Sequence, residues 1–549
     1  MPLPARLQAL FRRRSDPRTL ISTHSERLVV LLSILLVCLL GLPLWWTTTR
    51  VYRADLPTDE IARFTPKDPL RIPFAFHIDD SADSLLPSGS LAAIEQGAAR
   101  LIDKQRVPYA RGEWPVRYEA VVLQGPAPDI PGHYTLKARR APSSKTRVSV
   151  EISVDRIATV SIPSKVPAMS VLEDLISAIV AKEERELRRT TSGLSNQKPR
   201  ATADRALKYS PEYAVTFTLL NEDPVNGVTV DWDIESAIST YIQPFIDSLH
   251  PVTKLSVTSQ VLHDAGPPPF KPVKTSNQTL LSPSMLAHFV NSPSWNLAST
   301  DPVSPMLNFI LYVPSLESQP VYITRENNRL HTNAFLVSQW GGVAIANLPA
   351  ETKAGSHIVL SSSDMQGYMG AFISQLRELI GIRRYTPLDE SPEGTIEKIR
   401  VHQATLTGIS TWEQDALLRQ WLVSTRLTAI STLQSLSRLV ESMQNMVVMD
   451  EIKTKVDGAI QELTSIQDAL SSSTDHLKAC KHATNASVLA ESAFFDPSMV
   501  SLLYFPDQHK YAIYLPFFLP AVMPLITALK RVIKERKSRK AVSTESKSE

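Results

Sequence analysis

The chain has 549 residues and a net charge of +3 at neutral pH; 43% of its residues are hydrophobic and 21% are charged. That length is enough for domains with their own hydrophobic core, and the small net charge gives no reason to expect a nucleic-acid partner. The two cysteines, Cys38 and Cys480, are too few to staple a fold together with disulfides.

Two uncharged, apolar segments lie near the ends of the chain, at residues 28–49 and 511–529. At 1.5 Å per residue, each segment spans roughly 28–33 Å as a helix, which is about the thickness of the hydrocarbon core of a bilayer. We therefore expect two transmembrane helices, one at each end. Residues 50–510 between them then lie on one side of the membrane.

Basic flanks on the outer side of both segments predict the orientation. Residues 1–27 carry six arginines against two acids, and residues 530–549 carry eight lysines or arginines against three glutamates. Because basic flanks stay in the cytosol, we expect both termini there and residues 50–510 in the lumen. Arg27 and Arg18 are also candidates for contact with anionic lipid headgroups, although their charge is equally explained by topology alone.

Residues 50–405 combine strand and helix patterns. Residues 147–154 alternate apolar and polar side chains, as a half-buried strand does. Ser170 and Glu173 have the spacing of a capping box that opens a helix to about Arg188. Further strands are expected at 213–220, 255–262, 308–314 and 341–346, and further helices at 231–249 and at 365–380 with Gly381 as the terminating glycine. The pattern predicts an α/β domain, a mixed sheet with flanking helices.

The segment 406–510 is predicted to be helical. Apolar residues recur there at steps of three and four, which predicts helices at 412–442, at about 450–470 and at about 474–493. We expect a packed helical bundle leading back to the membrane. A zipper between subunits is an alternative, but the pattern is short and irregular for one.

Two N-glycosylation acceptors occur in the predicted lumenal part. They are Asn277, followed by Gln and Thr, and Asn485, followed by Ala and Ser. Short motifs of this kind also arise by chance, so they support a lumenal location only weakly.

Motifs that carry chemistry are missing from the sequence. There is no nucleophile elbow, zinc-protease motif, phosphate-binding loop or paired-cysteine motif, so we expect no catalytic residue, cofactor or metal. Cys480 lies between His476 and His482, and His476 is four residues away, within reach on a helix. No third group orients such a dyad, so we expect these residues to lie at the surface or to line the bundle. The pair Gly341-Gly342 is best explained by a tight entry to a strand.

The second apolar segment carries a regular series of prolines. Pro516, Pro520 and Pro524 recur every four residues and fall along one stripe of a helix. Each lacks an N–H and frees a carbonyl that needs a partner inside the bilayer. The stripe favours a helix that faces other protein rather than lipid, although transmembrane helices also tolerate prolines without such a role.

Several short runs of residues are familiar from a known protein family. The runs are GLPLWW at 41–46, TLLN at 218–221, WDIE at 232–235, LNF at 307–309, LYVP at 311–314, TNAF at 332–335, WGG at 340–342, ESAFFDPS at 491–498 and LLYFPD at 502–507. The matches occur in order from residue 41 to about 530, whereas residues 81–145 and 184–205 match poorly. In these runs the chain resembles the PIG-S family, a subunit family of the GPI transamidase.

The resemblance implies a function. The GPI transamidase of the endoplasmic reticulum membrane removes a C-terminal signal from a precursor protein and joins the new carboxyl end to a GPI lipid. In that family the cysteine and histidine chemistry belongs to a caspase-like subunit. The PIG-S subunit is non-catalytic and assembles with the PIG-K, PIG-T, PIG-U and GAA-type subunits. It would meet membrane lipids directly, and GPI and the precursor only through the complex.

Two other functions remain open at this stage. One is a lumenal receptor or folding adaptor for GPI-anchored precursors with no role in transamidation. The other is a self-contained lumenal hydrolase or transferase, which would need a cleft with perturbed titratable groups.

Overall fold

A computed structural model of the chain describes most of its central part. The described residues are 52–64, 69–81, 83–106, 114–142, 147–191, 207, 210–224, 227–250, 252–263, 273–275, 278–283, 285–286, 304–325, 328–384, 396–443, 446–500 and parts of 29–43 and 512–537. The chain divides into two compact units. The larger unit comprises Pro57–Gln434 and Asp457–Glu491, and the smaller comprises Met1–Leu56, Ser435–Val456 and Ser492–Glu549.

Strands and helices are numbered here in chain order. The strands are β1 (Leu70–Asp79), β2 (Val116–Gln124), β3 (His133–Arg140), β4 (Val148–Ile152), β5 (Ile157–Ile162), β6 (Glu212–Asn221), β7 (Thr229–Trp232), β8 (Lys254–Leu262), β9 (Val273–Thr275), β10 (Gln278–Leu281), β11 (Met306–Val313), β12 (Val321–Arg325), β13 (Asn328–Arg329), β14 (Ala334–Val337), β15 (Gly341–Ile345), β16 (His357–Leu360) and β17 (Ile396–Val401). The helices are α1 (Thr58–Arg63), α2 (Leu91–Gln105), α3 (Ala168–Thr191), α4 (Ile234–Ala237), α5 (Gln243–Leu249), α6 (Ser362–Ile380), α7 (Thr411–Ser442), α8 (Asp450–Ser473), α9 (His476–Phe494) and α10 (Pro497–Val500).

The first sheet of the larger unit is mixed and has the order β17-β4-β5-β3-β1-β2. β1 is parallel to both β2 and β3, while β4 is antiparallel to β5. The strand expected at 147–154 is confirmed, because Val148, Val150 and Ile152 are fully buried and the residues between them are more exposed. β17 lies parallel to β4 at one edge, so a strand from far along the chain completes the sheet.

Helix α3 packs on α2 and β2 beside this sheet. Its expected apolar face is buried throughout, at Leu172, Leu175, Ile176 and Ile179. The expected capping box is wrong, because the helix begins at Ala168 and Ser170 lies inside its first turn. The Ser170 hydroxyl donates to the Pro167 carbonyl at 3.0 Å instead of accepting from the backbone. Proline just before the first turn favours this earlier start.

The second sheet of the larger unit has the order β14-β15-β11-β6-β8. β8, β6, β11 and β15 are parallel, and β14 is antiparallel to β15. The strands expected at 213–220, 255–262, 308–314 and 341–346 are all present. On one face Phe217 and Phe309 stack at 5.6 Å and pack against Phe372 of α6, which covers this face.

Helix α6 has both ends capped. Ser361 accepts from the backbone N–H of Asp364, whose carboxylate accepts from the Ser361 N–H, so the helix starts three residues before the expected 365. Gly381 adopts φ +89° and ends the helix, as expected, because glycine tolerates the left-handed region at this position.

The helix expected at 231–249 is present in altered form. It begins at Ile234, where Asp233 accepts from the backbone N–H of Ser236, and it ends at Leu249. A π-helical turn at Ile238–Ile242 separates α4 from α5.

The opposite face of the second sheet is covered by a smaller one with the order β13-β12-β10-β9. The apolar side chains between them form one buried cluster: Leu220, Leu281, Ile310, Tyr312, Val321, Ile323, Val343 and Ile345. Together the sheets and their flanking helices confirm the predicted α/β class.

Helices α7, α8 and α9 confirm the predicted helical segment within one to three residues at most ends. Their apolar stripes are buried, among them Leu418, Trp421, Leu422, Leu433, Leu436, Val456, Leu463, Ile466 and Leu470. Among the residues that the structure describes, no helix has both the length and the apolar character needed to cross a bilayer.

Candidate functional site

A network of charged side chains is buried between α3, α7 and the first sheet. Arg419 of α7 is 1% exposed and binds both carboxylate oxygens of Glu183 on α3, through Nε to Oε1 and through Nη2 to Oε2 at 2.8 Å. Its Nη1 donates to the Tyr134 hydroxyl at 2.7 Å, and its guanidinium lies 4.3 Å above the Phe74 ring. Each of the three guanidinium nitrogens therefore donates to an acceptor, and the group lies over an aromatic ring.

A second buried pair lies one turn earlier on α7. Asp415 is 1% exposed and accepts from Nε and Nη2 of Arg156, each at 2.8 Å. Arg156 follows β4 and also donates to Asp129 at 2.5 Å. The Trp412 indole donates to the Asp155 carbonyl at 2.7 Å, which holds the first turn of α7 against the same connection.

A third pair joins α7 to α6. Arg377 donates to both oxygens of Glu413, at 2.8 and 3.2 Å, and Glu413 also accepts from the Ser410 backbone N–H at 3.0 Å. Burial by itself lowers the pKa of Arg419, but Glu183, with contributions from Tyr134 and Asp415, more than offsets this, and the pKa of Arg419 is raised well above its usual value. Because unpaired charges are costly in the core, these pairs allow few relative positions of α3, α6 and α7.

This network was not predicted from the sequence, although the sequence of α7 carries a signal for it. Trp412, Asp415, Arg419 and Leu422 recur at three- and four-residue steps, so two charges stand on the apolar face of α7. A charge in that position must have a buried partner, but the partners lie far away in the sequence.

Two neighbouring cavities lie beside the network. One has a volume of about 210 Å³ between α3, α7 and the end of α6, and the other has a volume of about 310 Å³ beside the residues that lead into α7. Arg384 and Glu413 line both. Among the described residues, no group of three or more His, Cys, Asp or Glu side chains is placed to hold a metal ion.

Cys480, His476 and His482 each have a different environment in the structure. Cys480 is buried in α9, and burial raises the pKa of its thiol to about 12. Of the two expected positions, at the surface or lining the bundle, the surface one is wrong for His476, which is fully buried at the start of α9. Its Nε2 lies 2.8 Å from the Pro73 carbonyl, and burial lowers its pKa to about 3. His482 contacts Glu462 at 2.6 Å. None of these contacts activates the thiol.

A pair of histidines was not foreseen from the sequence. His77 of β1 and His133 of β3 are each 8% exposed, and Nε2 of His77 lies 3.0 Å from Nδ1 of His133. Burial, with a smaller contribution from His133, lowers the pKa of His77. The pairing of β1 with β3 brings the two together, and a single-strand pattern does not reveal such a neighbour.

Gly341 and Gly342 form the expected tight entry to a strand. Gly341 has φ +151°, and a Cβ there would lie 1.8 Å from the Asn308 carbonyl oxygen of β11. A Cβ at Gly342 would lie 2.0 Å from Oε1 of Gln375 on α6. Both glycines are required by close approach, which confirms the structural explanation over a phosphate-binding one.

The smaller unit contains a junction, which we define as Tyr52–Ala54, Val448–Asp450, Lys455 and Asp496. The Tyr52 hydroxyl donates to the Asp450 carboxylate at 2.8 Å. The Ala54 N–H donates to the Val448 carbonyl at 2.9 Å, and Arg53 and Val448 form a parallel bridge. Lys455 binds Asp496 at 2.8 Å, and this hydrogen bond, together with those from Ser498, lowers the pKa of Asp496 to about 2.

The junction joins residues that lie near the two apolar segments in sequence. Tyr52 follows the first segment by three residues, and Asp496 precedes the second by fifteen. The stretch of chain at Tyr52 and the stretch at Asp496 are therefore both bound to α8.

The remaining candidate residues are placed as follows. Asn485 is exposed on α9, whereas Asn277 lies outside the described residues. Pro516 and Pro520 are helical and exposed, and Pro524, Arg27 and Arg18 also lie outside the described residues.

The described residues form mixed sheets with flanking helices and a helical segment, and buried ion pairs link helices of the larger unit to each other and to its first sheet. Comparison with known sequences identifies the protein family. The model of the family described as phosphatidylinositol-glycan biosynthesis class S protein matches residues 32–539, and the chain belongs to this family.

Similar proteins are known from animals and yeasts. The chain is 32% identical to the "GPI-anchor transamidase component PIGS" of Bos taurus, over 91% of this chain and 94% of that protein. It is 28% identical to the "GPI transamidase component PIG-S homolog" of Schizosaccharomyces pombe, over 92% and 84%. It is 25% identical to the "GPI transamidase component GPI17" of Saccharomyces cerevisiae, over 90% of each chain.

Proposed function

We propose that this chain is a non-catalytic, doubly anchored subunit of the GPI transamidase, which holds the other subunits in place. The family match over residues 32–539 carries the proposal. The curated relatives are components of the transamidase, and they align with this chain over nearly its whole length. A receptor or folding adaptor without a transamidase role is not favoured by these relatives.

The absence of catalysis is supported by the state of the reactive side chains. The thiol of Cys480 is buried, its pKa is raised to about 12, and His476 is engaged with the Pro73 backbone. A nucleophilic cysteine needs a lowered pKa and access to substrate, and Cys480 has neither. We therefore assign the transamidation chemistry to a partner subunit.

The proposed anchors are supported by exposed apolar side chains. Most of the large apolar side chains exposed in the described residues lie within 28–49 and 511–529, among them Leu36, Leu40, Leu515 and Leu519. These described residues are helical. Exposed apolar residues on a helix are stable in contact with lipid or with other apolar helices, not with water. We propose an endoplasmic reticulum membrane location with both termini cytosolic and residues 50–510 lumenal.

The proposed partners are the PIG-K, PIG-T, PIG-U and GAA-type subunits. The buried charge network supports a holding role, because it keeps α3, α6 and α7 in one arrangement and so presents a constant surface to neighbours. Contact with GPI or with the precursor would occur through the complete complex.

Purification of the tagged chain in mild detergent tests the assembly. We expect a cysteine-protease-like subunit to co-purify with it, together with the other membrane subunits. Recovery of the chain alone, from cells that attach GPI anchors normally, would contradict the proposal.

Complementation tests the lack of catalysis. In cells without their own copy of this subunit, Cys480→Ala and His482→Gln variants should restore a GPI-anchored surface reporter as fully as the unchanged chain. Loss of the reporter by a variant that still co-purifies with the complex would show that the side chain takes part in the reaction.

A further inference from the structure

Three large apolar side chains are exposed on the smaller unit, two in the junction and one next to Asp496 in sequence. Phe495 is 72% exposed, Tyr52 is 57% exposed and Met449 is 45% exposed. We call these three residues the apolar foot. Water contact with such side chains is unfavourable, so an exposed group of them indicates an interaction surface.

Chain length places Tyr52 close to the membrane. This step depends on the proposed two-anchor topology, in which the first span ends at Thr49. Three residues of extended chain cover at most roughly 10 Å, so Tyr52 cannot lie farther than that from the lumenal end of the span. The position is fixed as well as close, because Arg53 and Ala54 are bound to the backbone of Val448.

The other members of the foot are linked to Tyr52 through their neighbours in sequence, Asp450 and Asp496. The Tyr52 hydroxyl binds Asp450 at 2.8 Å, and Met449 is the residue before Asp450. Lys455 lies five residues further along α8, a rise of roughly 8 Å, and binds Asp496, the residue after Phe495. Met449 therefore lies next to the residue that Tyr52 binds, and Phe495 lies next to the residue bound about one and a half turns further along α8.

The chemistry of the foot matches the boundary between lipid headgroups and acyl chains. Tyrosine is favoured there because its ring is apolar and its hydroxyl is polar, and the Tyr52 hydroxyl already has its partner in Asp450. The nearby charge of Asp496 is also paired, so the foot brings no unpaired Asp496 carboxylate toward the bilayer. Phenylalanine and methionine add apolar area without a polar group.

We propose that the apolar foot rests in the lumenal leaflet of the membrane, with the lipid bilayer as its partner. The foot is then a third contact with the membrane, in addition to the two anchors. Because Tyr52 and Asp496 are both bound to α8, the contact sets the angle at which this helix meets the bilayer.

Lipid quenching tests the contact on the intact complex. A fluorescent amino acid is placed at position 495, the complex is purified and reconstituted into phosphatidylcholine vesicles, and nitroxide-labelled phosphatidylcholine is added at increasing fractions. Leu406 provides the matched control, because it is an apolar side chain that is 87% exposed and distant in sequence from both apolar segments. We expect nitroxide lipid to remove most of the emission at position 495 and little of it at position 406.

The outcomes separate the lipid contact from its alternatives. Emission at 495 that resists nitroxide lipid but is quenched by aqueous iodide would overturn the proposal in favour of an open surface. Emission that resists both quenchers would overturn it in favour of burial by another subunit. If the complex does not float with the vesicles, the two-anchor topology fails together with the foot, whereas a floating complex with an unquenched probe contradicts the foot alone.

Discussion

Replacement of Arg419 by methionine should destabilise the larger unit strongly. The change leaves the Glu183 carboxylate buried without its bidentate partner and removes the donor to the Tyr134 hydroxyl. Breaking one side of a buried ion pair costs about 3–5 kcal/mol. Glu183→Gln should cost a similar amount, because it leaves the Arg419 charge without a counter-ion.

The double variant Arg419→Met with Glu183→Leu is the informative comparison. It removes both charges and keeps apolar volume, so its cost should fall well below the sum of the single costs, to about 1–3 kcal/mol for the Tyr134 hydroxyl left without a donor. The exposed pair of Arg400 and Glu151, 3.7 Å apart with both side chains more than half exposed, is the matched control. Arg400→Met should cost less than about 1 kcal/mol.

Hydrogen exchange measured by mass spectrometry on the full chain reports the effect where it occurs. Peptides from α3 and α7 should exchange roughly two to nearly four orders of magnitude faster in each single variant, because 1.4 kcal/mol corresponds to a factor of ten. Acceleration below tenfold in both single variants would refute the reasoning. So would a double variant whose acceleration equals the product of the two single effects, because the pair would then have no coupling energy.

Three further predictions follow from burial and close approach. His476 has its pKa lowered from 6.5 to about 3, so its contribution to stability is complete above pH 6.5 and declines as the pH falls toward 3; at pH 5 the loss should be about 2 kcal/mol. Exchange of α9 peptides, corrected for intrinsic rates, measures this loss, and a His476→Gln variant that keeps the full pH dependence would exclude His476 as the cause. Gly342→Ala should destabilise the chain because Gln375 occupies the space of its Cβ, whereas Gly370→Ala, in open space on α6, should stabilise it by up to about 1 kcal/mol. Equal melting temperatures for these two variants would contradict the close approach. In a Cys38→Ser background, the Cys480 thiol should resist alkylation at pH 8 until denaturant is added, and rapid labelling of the native chain would show that the thiol is accessible.

Local patterns were sufficient to predict most elements of the larger unit. The alternation at 147–154 and the apolar runs at 213–220 and 308–314 became buried strands, since side-chain period and burial depend on neighbours in sequence. The helix at 365–380 was also predicted with its terminating Gly381, although its start was placed three residues late. The exact start of a helix depends on one or two residues at its end, and such residues are difficult to identify from the sequence. The start of α3 was misplaced for the same reason, because it is determined by Pro167 rather than by Ser170.

Relations between distant residues were beyond the reach of single-sequence patterns. Arg419 and Glu183 are separated by more than two hundred residues, and nothing near either one indicates the other. The burial of His476 against Phe74 and Pro73 of β1 depends on the same kind of distant pairing, so the sequence predicted only a position at the surface or lining the bundle. The order of the strands in the two larger sheets could not be predicted either, since it includes pairs such as β4 and β17 that are far apart in the chain.

The discontinuous make-up of both units has a consequence for biosynthesis. The larger unit includes residues up to Glu491, and the smaller unit needs residues from both ends of the chain. Almost the entire polypeptide must therefore be synthesised before either unit can complete its hydrophobic core. Phe74, for example, can pack against His476 only after the ribosome has added residue 476. Long-range closure of this kind is slow and leaves apolar strands uncovered in the meantime, so the nascent chain should depend on chaperones for longer than a protein whose domains follow one another in sequence.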